Sequence, residues 1–200
     1  LGYTRLTAFL GLPRVLQTIH AAYPDIEISL LPLPDRELEE ALAAELIDLA
    51  LVTLPFETQT WPHHAIAFDP LRVAVDASLE LPEVISLGDS RLPAILVAPF
   101  AAWPGTYRKV SARCEQLGVS PVFQESGNDA LGRMAMALTG RYAALVSQIR
   151  GSQAPEGVSL HSPEGFEDIG FTTALCHGPH PSPWGQRVFA TFAPEVNSGA

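Results

Sequence analysis

The sequence predicts an α/β protein of two lobes, each built on a mainly parallel sheet, and three observations carry that prediction. Ile47-Asp48-Leu49-Ala50-Leu51-Val52-Thr53-Leu54-Pro55 is a nearly continuous apolar run, which reads as a strand buried on both faces. Ala94-Ile95-Leu96-Val97, closed by Pro99, repeats the signal in the second half. Both runs sit in an alternation of strand and helix patterns, the rhythm that yields parallel sheets with right-handed crossovers.

In chain order, Leu1-Gly2-Tyr3 reads as a first strand, followed by a polar step at Thr4, Arg5 and Thr7. Leu12, Val15, Leu16 and Ile19 recur at helical spacing, with Pro13 tolerable in a first turn. Ile26, Ile28 and Leu30 alternate with polar residues and predict a strand. Asp35 after Pro34 is the expected N-cap of a second helix whose buried stripe is Leu38, Leu42 and Leu46. Residues 1–53 thus read β-α-β-α-β. Residues 65–76 read as two short strands broken at Asp69-Pro70, and residues 79–92 as irregular chain. A helix over 106–117, with Val110, Cys114 and Leu117 on one face, stops at Gly118. A strand over 121–124, a helix capped by Asn128 or Asp129 and carrying Leu131, Met134, Ala135 and Leu138, and a strand over 142–147 complete a second such unit. Short strands at 158–160 and 169–176 precede a last helix, announced by Ser182-Pro183. The expected division is lobe I from residues 1–70 plus 173–200 and lobe II from residues 71–172, with a ligand cleft between them.

Composition narrows the function. The net charge is −10, from 12 basic and 22 acidic residues, and Lys109 is the only lysine. Nucleic acid is a poor partner for such a chain, because phosphate contacts need a positive footprint. No apolar run approaches the ~20 residues of a membrane span, so no membrane partner is expected. Two cysteines, Cys114 and Cys176, in apolar surroundings fit reduced thiols of a cytoplasmic protein. No G-x-G-x-x-G or P-loop spacing follows the first strand, and no G-x-S-x-G elbow is present. Cys176-His177-x-x-His180, with His63-His64 as a conceivable partner, is the only metal-like spacing; it lacks a convincing fourth ligand. Neither an enzyme, a cofactor nor a metal is expected. Asp48 is expected to make a structural hydrogen bond.

Several stretches together resemble the effector-binding domain of LysR-type transcriptional regulators. They are Leu12-Pro13 before an apolar helix, Tyr23-Pro24 before a strand, and Ala44-Glu45-Leu46-Ile47-Asp48-Leu49-Ala50-Leu51, in which Ala44 replaces the family's usual glycine. Asp69-Pro70-Leu71, Val84 to Leu87, Leu117-Gly118-Val119-Ser120-Pro121 and Gly140-Arg141-Tyr142-Ala143-Ala144-Leu145-Val146 follow in the family's order, with Arg141 and Ser147 departing from its pattern. The resemblance covers essentially the whole chain. It implies two Rossmann-like α/β lobes joined by two crossover strands, the type 2 periplasmic-binding-protein fold. It further implies a small-molecule effector, homodimers or tetramers, and contact with DNA only through an N-terminal winged helix-turn-helix domain outside this chain. By matched position, effector contacts fall on Thr4 to Thr7, Pro34 and Asp35, Thr53, and Ser147-Gln148. Loops at 99–105 and 127–128 supply the second lobe. Leu6 takes the place of a common serine or threonine, and Thr53 lies where some members carry an arginine.

Read from the residues alone, the hydroxyls and helix starts suit a small anionic or polar metabolite. Arg5 adds a cation, and Phe100 and Trp103 an apolar wall. The candidate effector-binding set is therefore Thr4, Arg5, Thr7, Pro34, Asp35, Thr53, Phe100, Trp103, Asn128, Ser147 and Gln148. The alternatives are a transporter's solute-binding protein and, behind it, a small-molecule enzyme on the same fold.

Overall fold

The computed structural model describes residues 1–54, 61–127 and 129–193. Its elements are β1 (Gly2–Tyr3), α1 (Arg5–Leu10), α2 (Leu12–Ala22), β2 (Leu31–Pro32), α3 (Asp35–Ala43), β3 (Ala50–Leu54) and β4 (His63–Asp76). Then come β5 (Val84–Ile85), β6 (Ala94–Val97), α4 (Pro104–Leu117), β7 (Phe123–Glu125), α5 (Ala130–Ala137) and β8 (Tyr142–Ser147). The chain continues through α6 (Gln148–Gly151), β9 (Val158–Pro163), β10 (Gly170–Cys176) and α7 (Pro183–Ala190). Two compact units result, one of Leu1–Phe68 with Thr172–Ala200 and one of Asp69–Phe171, so β4 and β10 each run from one unit into the other. The mixed α/β architecture is that of the type 2 periplasmic-binding-protein-like fold expected from the sequence.

In the first unit, β1 pairs in parallel with β2 and β3, and β10 runs antiparallel to β3. The alternation of side chains along β3 explains its unbroken apolar run. Leu49 and Leu51 join Leu12, Val15, Ile19 and Val188 on the α2 and α7 side. Ala50 and Val52 join Leu38, Ala41 and Leu42 on the α3 side. Each fully buried leucine or valine contributes about 2 kcal/mol of transfer free energy. Gly2 lets α3 lie against β1, since a Cβ there would be 2.5 Å from Leu38 and 2.6 Å from Ile47.

The second unit repeats the device. β6 pairs in parallel with β7 and β8, and β4 runs antiparallel to β8 and β9. Ile95, Val97, Ala143 and Leu145 pack with Tyr107, Val110 and Cys114 of α4. Leu96, Ala144 and Val146 pack with Ala130 and Met134 of α5.

Several expectations need correcting. The polar step at 5–10 is helical, because Thr4 and Thr7 form a capping box that starts α1 there. The strand expected at 26–30 is instead the two-residue β2, held by Leu31 N–H to Leu1 O and Leu33 N–H to Tyr3 O, both at 3.0 Å. Ile26 and Ile28 pack on the α2 side without pairing. Pro32, which lacks a donor, fits because β2 is an edge strand. Asp35 is not the N-cap: Pro34 holds that position without a side-chain bond, and Asp35 is the first helical residue. Because α3 ends at Ala43, Leu46 falls off the helical stripe and is 75% exposed, while Ile47 is buried in its stead. Leu117 and Leu138 are likewise exposed. The break expected at Asp69-Pro70 does not occur. β4 runs through it, with Leu71 N–H bonding Ile169 O at 3.1 Å, and Gly170 leaves room for the Asp69 carbonyl. Asp48 is exposed and its side chain makes no hydrogen bond among the described residues; it lies near the Leu1 ammonium.

Glu45 turns the chain out of α3 with φ +57°, a left-handed conformation costly for a residue with a Cβ. Because Glu45 is exposed, Glu45→Gly is expected to stabilise the protein by about 0.5–1 kcal/mol. Urea denaturation measures this; a loss of stability would show that the Glu45 side chain has a holding role.

Candidate functional site

The carboxyl edge of the first unit gathers most of its candidate residues. The register Tyr3↔Pro32 and Tyr3↔Leu51 puts the residues following β1, β2 and the middle of β3 side by side. Thr4, Pro34 and Thr53 therefore share one edge, where open α/β sheets take ligands. The two α1 threonines are committed internally. Thr4 Oγ1 accepts from Thr7 N–H at 3.2 Å, and Thr7 Oγ1 accepts from Thr4 N–H at 2.9 Å. The Thr7 hydroxyl also lies 3.2 Å from Leu51 O, tying α1 to β3. Both threonines are buried, whereas Arg5 and Pro34 are exposed and Thr53 is half-buried. The side chain of Asp35, like Asn128 as a whole, lies outside what is described.

Thr173 of β10, opposite Thr53, was not singled out by sequence reading. It is fully buried and its Oγ1 has no hydrogen-bond partner. In the sequence it is one of two threonines in an ordinary strand pattern, and only the pairing with β3 reveals where it sits.

In the second unit, the ends of β6, β7 and β8 form the corresponding edge. Phe100 N–H donates to Glu125 Oε1 at 2.8 Å, fastening the turn after β6 to the end of β7. Phe100 meets Tyr107 edge to face at 4.5 Å, and Trp103 meets Phe171 at 4.7 Å. The Tyr107 hydroxyl donates to Ala98 O at 2.8 Å, and burial pushes its ionisation well above the usual range. Ser147 ends β8, buried and without a partner for its Oγ. Gln148 is exposed and accepts from Arg72 Nη2 at 2.6 Å.

Two charged residues missed in the sequence lie buried in this unit. Asp69 is 2% exposed; its Oδ1 accepts from Ile149 N–H at 2.9 Å and its Oδ2 has no partner. Burial raises its carboxyl above the ordinary range, opposed by the nearby Ser147 hydroxyl, the α6 amides and the Arg150 charge. The Ser147 hydroxyl is close enough to act on the carboxylate without reaching hydrogen-bond geometry. Arg133 is 1% exposed, on the inner stripe Ala130, Arg133, Met134 and Ala137 of α5. Its Nη1 donates to Gly127 O at 2.7 Å and its guanidinium carbon lies 5.8 Å from the Trp103 ring. Nε and Nη2 have no partner. Burial lowers its pKa, while Tyr107 and Asp129 act in the opposite sense. The helical stripe was legible once Asp129, which accepts from Leu131 and Gly132 N–H, set the start of α5. The apolar reading through Leu131 and Leu138 placed the stripe one residue out of phase.

Cys176 and His177 turn to structural partners. The Cys176 thiol donates to Ala50 O at 3.5 Å, and burial pushes its pKa up to about 12. His177 Nδ1 lies 2.6 Å from Gly178 O, and its ring stands edge on to Phe189. Among the described residues no three acidic, histidine or cysteine side chains form a group suited to a metal ion. Nor is any described helix long and apolar enough to cross a membrane.

Comparison with known proteins places the whole arrangement. The family model described as LysR substrate binding domain matches residues 1–190. Among solved structures, full-length CbnR complexed with its target DNA superposes with a TM-score of 0.72 at 18% identity, covering 96% of this chain and 67% of that one. The BenM effector binding domain with its effector benzoate gives 0.70 at 21% identity, covering 96% and 88%. The regulatory domain of OxyR2 from Vibrio vulnificus (C206S mutant) gives 0.69 at 15% identity, covering 96% and 90%. A search of curated proteins finds no match.

Two outcomes follow from the site's polar groups. Thr7→Val strands the buried Thr4 N–H and is expected to cost about 1–3 kcal/mol in urea denaturation, whereas Arg5→Ala stays within about 0.5 kcal/mol. Asp69 binds its proton more tightly folded than unfolded, so its contribution to stability falls as pH rises above the ordinary carboxyl range. The stability of the natural protein relative to Asp69→Asn should accordingly grow as pH is lowered from about 7 toward about 4. A flat difference would show that Asp69 titrates alike in both states.

Proposed function

This chain belongs to the family of LysR substrate binding domains, and from that membership we propose that it is the effector-sensing and oligomerisation domain of a LysR-type transcriptional regulator. The match over residues 1–190 is the observation that carries the reading. The proposed effector is a small anionic or polar metabolite. Its proposed contacts are the carboxyl-edge residues Arg5, Pro34 and Thr53 in the first unit and Phe100, Trp103, Ser147 and Gln148 in the second, together with Asp35 and Asn128, which are proposed from the sequence alone. Thr4 and Thr7, with their hydroxyls committed to α1, act through main-chain placement. The BenM domain that this chain resembles holds benzoate, and CbnR is seen on its target DNA. Those two likenesses support an effector-controlled regulator whose DNA contacts are made by a longer, cytoplasmic protein acting as a dimer or tetramer. Its task in this reading is to bind and signal, not to catalyse.

Thermal-shift screening against small carboxylates, amino acids and sugars tests the reading. At least one compound is expected to raise Tm progressively with concentration, by the equivalent of about 2.7 kcal/mol at a hundred times Kd. Turnover of a panel member, or no response to any, overturns it. Thr53→Arg places a long cation on the half-buried end of β3. It should abolish the ligand-induced shift while lowering ligand-free Tm by no more than about 4 °C, the equivalent of about 1 kcal/mol, since a long side chain at a strand end can carry its charge to water. Equal loss of Tm with and without ligand would remove Thr53 from the site.

A further inference from the structure

The second unit contains a buried cation whose hydrogen-bonding capacity its own chain does not fill. A guanidinium has two useful edges, and on Arg133 one of them, through Nη1, is taken by Gly127 O. The unpartnered atoms, Nε and Nη2, are the pair whose N–H bonds point the same way along the other edge. That edge is the fork that matches the two oxygens of a carboxylate. The carboxylate that acts on Arg133, Asp129, accepts from the amides of Leu131 and Gly132 through its Oδ1 and Oδ2. No ion pair joins Arg133 to any described residue. Arg133 is itself buried on the inner stripe of α5, but two of the groups packed against it stand at the carboxyl edge. Gly127 and Trp103 belong to the segments that follow β7 and β6; Gly127 is exposed and Trp103 half-exposed. Trp103 presents its ring to the guanidinium, which is thereby held in place.

We propose that Arg133 is the carboxylate anchor of this domain, its Nε–H and Nη2–H gripping the carboxylate of a small organic acid at the carboxyl edge of β6 and β7, beside the ring of Trp103. The proposal rests on the sensing function and narrows its ligand from an anionic or polar metabolite to a carboxylic acid. Arg133 binds and orients; it carries out no chemistry.

The test compares acetate, benzoate and succinate with acetamide, benzamide and succinamide, and with inorganic phosphate and neutral sugars. Binding is followed by thermal shift and calorimetry on the natural protein and on Arg133→Met and Arg133→Lys. At least one carboxylate should bind where its amide does not. Arg133→Met should weaken that carboxylate by about tenfold or more, and Arg133→Lys, which keeps the charge but loses the fork, should fall between. Without ligand, Arg133→Met should melt no lower than the natural protein, because it removes a buried charge that lacks a counter-charge. A lower ligand-free Tm for Arg133→Met, equal binding of acid and amide, undiminished carboxylate binding by Arg133→Met, or a response to phosphate or sugars alone would each overturn the anchor and leave the sensing function standing. A natural protein that answers to no compound, these or the wider panel, overturns both.

Discussion

The requirement that dominates this structure is that parallel strands be covered on both faces. The run that enters β3 sends Leu49 and Leu51 to one side and Ala50 and Val52 to the other, and each side needs its own helix. The second unit obeys the same rule, with Ile95 and Val97 facing α4 and Leu96 facing α5. Helices on both faces force every connection to cross over, so chain segments leave the parallel strands at one end and enter helices there. That end collects helix starts, turns and small polar side chains whatever their chemistry. The geometry of a binding edge thus follows from burial, and the sequence has only to choose which groups stand there.

How far this was legible in the sequence depends on the kind of signal. Long apolar runs and some caps were readable because one residue set determines them: the β3 and β6 runs, Gly118 as the stop of α4 and Ser182 as the cap of α7 stand where expected, whereas Asp35 does not cap α3. Elements fixed by distant partners were not. β2 is set by its pairing with β1 and not by the alternation at Ile26 and Ile28, and the continuity of β4 through Pro70 depends on Gly170, far away in the chain. Leu46 misled because a helix stripe has no meaning beyond the residue that ends the helix.

The candidate site shows the same division more sharply. Thr4 and Thr7 look like free hydroxyls in a sequence, and the fold commits them to one another and Thr7 also to Leu51. Conversely Asp69, Arg133 and Thr173 look like a strand-breaking dipeptide, a solvated helix position and a strand filler, and the fold buries all three with polar atoms unmatched. Residue type gives the capacity to bond; only packing determines whether that capacity is used up. A polar residue near a ligand edge becomes informative when its partners have been counted.

Of those three, the two charged residues differ in a way that bears on function. Asp69 has a route to neutrality, since burial already raises its carboxyl and a single proton removes the charge. A guanidinium has no comparable route, because an arginine side chain does not give up its proton in proteins. Asp69 and Arg133 do not neutralise each other either, for no ion pair links them among the described residues. The charge on Arg133 therefore stands without a paired counter-charge. An effector that brings a negative charge to Arg133 gains from a cost the folded protein already carries, which makes the bound form more stable than the free one. A neutral molecule of the same shape gains nothing from it, and in that difference lies the basis for discriminating an acid from its amide.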